Sequence, residues 1–179
     1  VEWRNGSDYT LPENVENVTA QSNSFGGTVV VRGNALNNTL IGVGNGRTYL
    51  DGGPGADTLV GGVLDDTYIV DNLGDTIVEK SNGQGVDTVQ SSVSYTLSNL
   101  LENLQLIGSD PVSGTGNAWA NQLDGSMNSA ANVLAGGLGN DTLNGGPGND
   151  DPLYGGNGND KLYGGQGNDG SDGGAGKDK

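Results

Sequence analysis

The sequence predicts an all-β solenoid, a parallel β-roll or β-helix, on three observations. A glycine-rich unit of about nine residues recurs along the chain, and a longer unit of about 84 residues encloses it. The composition is also too poor in large aliphatic residues to fill one compact core.

The short repeat is the strongest signal. Residues 52–60 read GGPGADTLV and 61–69 read GGVLDDTYI. The pattern returns at 136–144 (GGLGNDTLN), 145–150 (GGPGND), 155–163 (GGNGNDKLY), 164–169 (GGQGND) and 173–178 (GGAGKD). Its form is G-G-x-G-x-D-x-U-x, with U a large apolar residue. One GxxGxD is an ordinary turn, since glycine and aspartate abound in turns. Seven, mostly in tandem and nearly in phase, are a repeat architecture.

The long repeat divides the chain. Tyr9-Thr10-Leu11 and Val15-Glu16-Asn17-Val18 are echoed by Tyr95-Thr96-Leu97 and Leu101-Glu102-Asn103-Leu104. Gly33-Asn34-Ala35 through Leu40 returns as Gly116-Asn117-Ala118 through Leu123, and the glycine run at Gly52 answers the one at Gly136. Residues 1–90 and 91–179 therefore read as two copies of one larger unit, each a polar β segment followed by glycine-rich repeats.

Composition limits the alternatives. Glycine fills 35 of 179 positions, and Val, Leu, Ile and Phe together make up about a fifth. Twenty-two Asp and Glu stand against 7 Lys and Arg, for a net charge of −15, so close packing needs a neutralising partner. No basic stripe exists to displace counterions from nucleic acid. The chain has no cysteine and no histidine, which removes disulfides, thiolate sites, the usual transition-metal ligand and the commonest general base. No apolar run approaches the length of a membrane span.

One repeat explains the fold and the chemistry together. Glycines let GGPGAD turn tightly, and the turn directs backbone carbonyls toward one point. Thr58-Leu59-Val60 then forms a short strand whose alternation sends Leu59 inward. Leu59, Tyr68, Leu143 and Leu162 should build a thin inner column. Two nonapeptides make a coil of about 18 residues, and coils stack at about 4.8 Å. Asp57 and Asp75 are 18 residues apart, as are Asp160 and Asp178; Asp141 and Asp160, like Asp150 and Asp169, are 19 apart. Stacked carboxylates repel unless a cation lies between them. Calcium, a hard ion taking six to eight oxygens in tolerant geometry, suits such turns. The expected ligands are the carboxylates of Asp57, Asp66, Asp75, Asp141, Asp150, Asp160, Asp169 and Asp178. The backbone of Gly53, Gly55, Gly137, Gly139, Gly146, Gly148, Gly156, Gly158, Gly165 and Gly167 is expected to join them. Asn38, Asn121 and Asn132 stand where other repeats carry aspartate, so those coils should continue the solenoid without metal.

These repeats resemble those of RTX proteins, the calcium-binding toxins, proteases, lipases and adhesins exported by bacterial type I secretion. Residues 65–79, 85–97 and 101–108 are similar to the spacers between repeat blocks of large RTX proteins. The resemblance implies a right-handed parallel β-roll, calcium-triggered folding outside the cell, and a covalently attached passenger domain. It further implies export without a cleaved N-terminal signal, by the type I machinery, to the medium or cell surface of a bacterium.

Departures from the repeat predict local differences. DDPLY (150–154) carries one residue too many and puts Pro152 at the inward position. Ser171 replaces an inward apolar residue, which predicts fraying over 170–179. Arg47 falls near a ligand position, where its guanidinium would replace the ion. Leu64 takes the place of the fourth-position glycine before Asp66, and Asp75 lacks the full glycine pair, so both are weaker ligands. The exposed ends of a solenoid also invite end-to-end pairing.

Three functions compete. A calcium-responsive folding module accounts for the repeats and the charge. A surface-recognition solenoid (adhesin, matrix or ice-binding) would use an outward threonine series, Thr39, Thr58, Thr67, Thr76 and Thr142, although threonine simply suits exposed strands. Catalysis is disfavoured: no triad exists without His or Cys, and most Asp belongs to turns. The segment is expected not to be an enzyme, whatever the rest of its protein does.

Overall fold

The glycine turns ending at Asp57 and Asp160 lead into strands because the residues after the aspartate are threonine or lysine, a large aliphatic and another strand former, an alternation that half-buries a short β segment. The computed structural model describes residues 1–4, 8–22, 27–80, 85–150 and 152–179. It is all-β and built of parallel strands, with no helix among the described residues. Contacts group the chain into two compact units, Val1–Val89 and Gln90–Lys179.

In the first unit, strands alternate between two parallel sheets. One sheet holds β1 (Glu2–Arg4), β3 (Asn17–Ser22), β5 (Thr39–Gly44), β7 (Thr58–Val60) and β9 (Thr76–Val78). The other includes β2 (Asp8–Thr10), β4 (Thr28–Arg32), β6 (Arg47–Asp51) and β8 (Thr67–Val70). Register fixes the inner columns: Val18 pairs with Leu40 and Leu40 with Leu59, while Val31 pairs with Leu50 and Leu50 with Tyr68. All of these are at most 1% exposed, so the core is built of narrow columns to which each strand adds one large residue, with Ala20, Val29 and Val70 buried beside them. β10 (Thr88–Ser91) crosses the boundary between the two units along the chain.

The second unit repeats the scheme. One sheet runs β11 (Tyr95–Thr96), β13 (Ser113–Thr115), β15 (Val133–Leu138), β17 (Leu153–Asn157) and β19 (Ser171–Ala175). The other includes β12 (Asn103–Gly108), β14 (Gln122–Asn128), β16 (Thr142–Pro147) and β18 (Lys161–Gln166). Leu104, Leu123 and Leu143 stack in register and are buried. Leu162 continues that column but is only half-buried.

Three expectations change at this level. Leu153, not Pro152, takes the inward position, pairing with Leu134 and fully buried, so the extra residue is absorbed before the strand. Asp151, within that expected bulge, lies outside the described residues. Residues 170–179 are not frayed, because β19 pairs with β17 and Ser171 stands opposite Leu153. The threonine series does not share one face. Thr39, Thr58 and Thr76 are in register on one sheet, whereas Thr67 lies on the first unit's other sheet and Thr142 in the second unit.

Candidate metal centre

The turns before successive strands stack into columns, and the aspartates lie at the same point of each turn, tied in turns such as those of Asp57 and Asp141 to the inward residue by the D-x-U spacing. In the first unit one column runs Asn38, Asp57, Asp75 and another Thr48, Asp66, Asp87. In the second unit they run Asn121, Asp141, Asp160, Asp178 and Asn132, Asp150, Asp169. One hydrogen bond recurs throughout. Oδ1 of each aspartate accepts the backbone N–H of the residue one coil earlier, at 2.6 to 3.0 Å.

The second carboxylate oxygen divides the aspartates into two classes. Oδ2 of Asp57, Asp141, Asp150 and Asp160 is buried and accepts no hydrogen bond. Asp66 and Asp75, from turns without the full glycine pattern, close on themselves. Oδ2 of Asp66 accepts Gly62 N–H at 2.6 Å, and Oδ2 of Asp75 accepts Asp71 and Asn72 N–H at 3.1 and 3.0 Å. A buried charged oxygen without a partner costs on the order of 1–3 kcal/mol or more, so four of them need an account. Asp169 and Asp178 are half-buried and receive the N–H of Asp150 and Asp160.

Glycines make these columns possible. The ten glycines expected at the sites all have positive φ, from 75° at Gly53 to 151° at Gly55. Their α-carbons pack onto the backbone of the coil before: at Gly146 a side chain would meet the carbonyl oxygen of Gly125 at 2.7 Å. The first glycine of the repeat matters for another reason. A Cβ on Gly155 would lie 2.6 Å from Oδ2 of Asp160, and one on Gly145 2.7 Å from Oδ2 of Asp150. Only glycine leaves that oxygen room.

Electrostatics agree with the geometry. Burial pushes the carboxyls of Asp57 and Asp141 up to about 6; Asp75 and Asp160 add like-charge repulsion, against the lowering N–H bonds from Asn38 and Asn121. Burial likewise raises Asp66 and Asp150. Dry, all-oxygen surroundings with orphaned carboxylate oxygens fit a hard divalent cation such as calcium, and offer no nitrogen or sulfur ligand to a softer one.

The family model for the RTX calcium-binding nonapeptide repeat matches four stretches, 32–68, 43–77, 128–151 and 150–179, which together span more than half of the chain. The chain belongs to the RTX repeat family. No curated protein matches the sequence. The RTX repeat is a structural calcium-binding element rather than a catalytic one. Its matches contain Asp57, Asp141, Asp150 and Asp160, the described aspartates whose Oδ2 is orphaned, and also the Asn34–Asn38 and Asn128–Asn132 turns; the Asn117–Asn121 turn falls outside all four.

Some RTX-column residues escaped the sequence reading. Asp87 occupies the same point as Asp66 one coil on, and its signal was present in Asp87-Thr88-Val89, which repeats the Asp57-Thr58-Leu59 spacing. Asp66, Asp87 and Glu79 bring one carboxylate oxygen each to within 4.8 Å of one another, a donor set of the kind hard cations take. Tyr68, buried beside them, donates its hydroxyl to Glu79 Oε1. Arg47 does not stand in for an ion. Thr48 holds the turn position, giving its N–H and Oγ1–H to Asp66, while the half-exposed Arg47 guanidinium pairs with Asp65 at 2.9 Å.

Proposed function

We propose that this chain is a calcium-responsive folding module of a larger secreted protein. One observation carries the reading: the buried, partnerless Oδ2 atoms of Asp57, Asp141, Asp150 and Asp160, stacked in columns where each Oδ1 accepts a backbone N–H from the coil before. The ligands are those four carboxylates with the neighbouring glycine-turn carbonyls, including those of Gly137, Gly139, Gly156 and Gly158. Asp169 and Asp178 extend the columns of the second unit. Asp66 and Asp75, closed by their own turns, contribute more weakly.

Calcium, when bound, supplies the positive charge that offsets burial and repulsion at these carboxylates. Without it, the stacked aspartates oppose the fold at neutral pH, and the thin core adds little to hold it. The chain therefore stays loose where calcium is scarce and closes where it is abundant, so binding free energy becomes folding free energy. That behaviour suits type I export followed by folding outside the bacterium, with an attached passenger ordered in consequence. Far-ultraviolet circular dichroism in EDTA and then in excess calcium tests it. A gain of β signal with calcium supports the module; superimposable spectra remove it.

A further inference from the structure

Not every turn in the columns carries an orphaned oxygen. Three turns have asparagine at both the second and sixth positions, where the calcium-type turns have glycine and aspartate: Asn34 with Asn38, Asn117 with Asn121, and Asn128 with Asn132. Asn34 Nδ2 donates to the carbonyls of Pro12 and Val15, both at 2.8 Å. Asn117 Nδ2 donates to those of Ser98 and Leu101, at 2.9 and 2.8 Å. Asn128 Nδ2 donates to those of Ile107 and Asp110, at 3.2 and 3.0 Å.

The three cradles share one construction. In each, the accepting carbonyls are three residues apart in the preceding coil. Pro12–Val15 and Ser98–Leu101 are turns closed by an N–H···O bond of 3.3 Å, with Asn14 and Leu100 at positive φ inside them. The rest of each asparagine is also used. Oδ1 of Asn34, Asn117 and Asn128 accepts the N–H two residues on, at 2.8 to 2.9 Å. At the sixth position, Oδ1 of Asn38 and of Asn121 accepts the N–H of its second-position partner at 2.7 Å.

We propose that the side-chain amides of Asn34, Asn117 and Asn128 do by hydrogen bonding what a cation does in the aspartate turns, so that these three rungs form without metal. The residues at turn positions two, four and six then decide which rungs take calcium: Gly, Gly and Asp bind, Asn at two and six is self-sufficient, and the Gly62–Asp66 turn, with Leu64 at position four, closes on itself. An NH2 group offers two donors to two carbonyls and brings no charge that needs neutralising. Each of the three columns that hold an orphaned Oδ2 follows such a rung: Asn38 gives its N–H to Asp57, Asn121 to Asp141 and Asn132 to Asp150. The amide rungs are thus preformed ends on which calcium-dependent coils stack. The inference rests on the calcium reading for the aspartate turns only.

Hydrogen exchange on the full chain, in EDTA and in saturating calcium, distinguishes the two. The backbone N–H groups of Asn34, Leu36, Asn117 and Trp119 report the amide rungs; those of Asp57, Asp141 and Asp160 report the calcium rungs. The inference expects the first group to stay protected in EDTA while the second exchanges at least about tenfold faster there than in calcium. Equal loss in both groups overturns it. If calcium slows no amide anywhere, the calcium reading fails, while protected amide rungs would still stand. The triple variant N117G/W119G/N121D converts one rung to the aspartate type. Its turn should be protected in calcium and about tenfold or more less protected in EDTA; protection in EDTA, or none in calcium, overturns the proposed rule.

Discussion

The backbone N–H of Asp141 donates to Oδ1 of Asp160 at 2.8 Å across one coil, while the Oδ2 atoms of both carboxylates are buried and accept nothing. The hydrogen bond fixes the two side chains in register, and the orphaned oxygens leave charge in a dry place. Stacking and cation demand are therefore one feature of the turn.

Asp141→Asn and Asp160→Asn should each lower calcium affinity at least about tenfold, because a charged oxygen ligand becomes a neutral amide. Asp110→Asn, a change at an exposed acidic position outside the aspartate columns, should leave affinity nearly unchanged. Calorimetric titration of the three variants checks this.

The raised carboxyls set a pH dependence. Asp57 and Asp141 titrate near 6 in the fold against about 4 in an unfolded chain, so the metal-free fold holds more protons than the unfolded state. Their contribution to metal-free stability is fully present below about pH 4 and is lost as pH rises through about 6. Calcium competes with those protons, so its affinity should fall as pH drops below about 6. Melting curves in EDTA and titrations in calcium across that window should run in opposite directions.

Leu100 is a non-glycine residue at φ 80°, half-buried, in the turn whose carbonyls hold Asn117. The left-handed region costs an L side chain about 1–2 kcal/mol. Leu100→Gly should raise the melting temperature, by about 1 kcal/mol in stability, whereas the equivalent Asn14→Gly should change little, because asparagine tolerates that region.

The core is built of narrow columns, so single truncations should be costly. Leu59→Ala and Leu143→Ala, both fully buried, are each expected to lose about 2–5 kcal/mol in calcium. Leu162→Ala, half-buried on β18, should lose clearly less. Chemical denaturation of the three variants gives the order.

Much of this was legible because the repeat ties each ligand to a core position. Asp-x-Leu announces Asp57 with Leu59 and Asp141 with Leu143, and both the burial and the stacking follow. Phase errors had local causes. Pro152 and Arg47 were each read one residue away from the position the fold uses, because the columns follow the buried Leu153 and Leu50 rather than a fixed count. The meeting of Glu79 with Asp66 and Asp87 was not legible, since Glu79 follows a strand and belongs to no glycine turn. Nor did the sequence reveal that Asn34 and Asn117 reach back to a turn one coil earlier, because that contact depends on the positive φ of Asn14 and Leu100.

A crystal grown at saturating calcium, with anomalous scattering recorded for that element, bears most directly on the central claim. The account predicts an ion within coordination distance of Oδ2 of Asp141 or Asp160, with backbone carbonyls of the adjoining glycine turns completing its shell. Aspartates turned outward to water at that site, with no calcium between the coils, would contradict it.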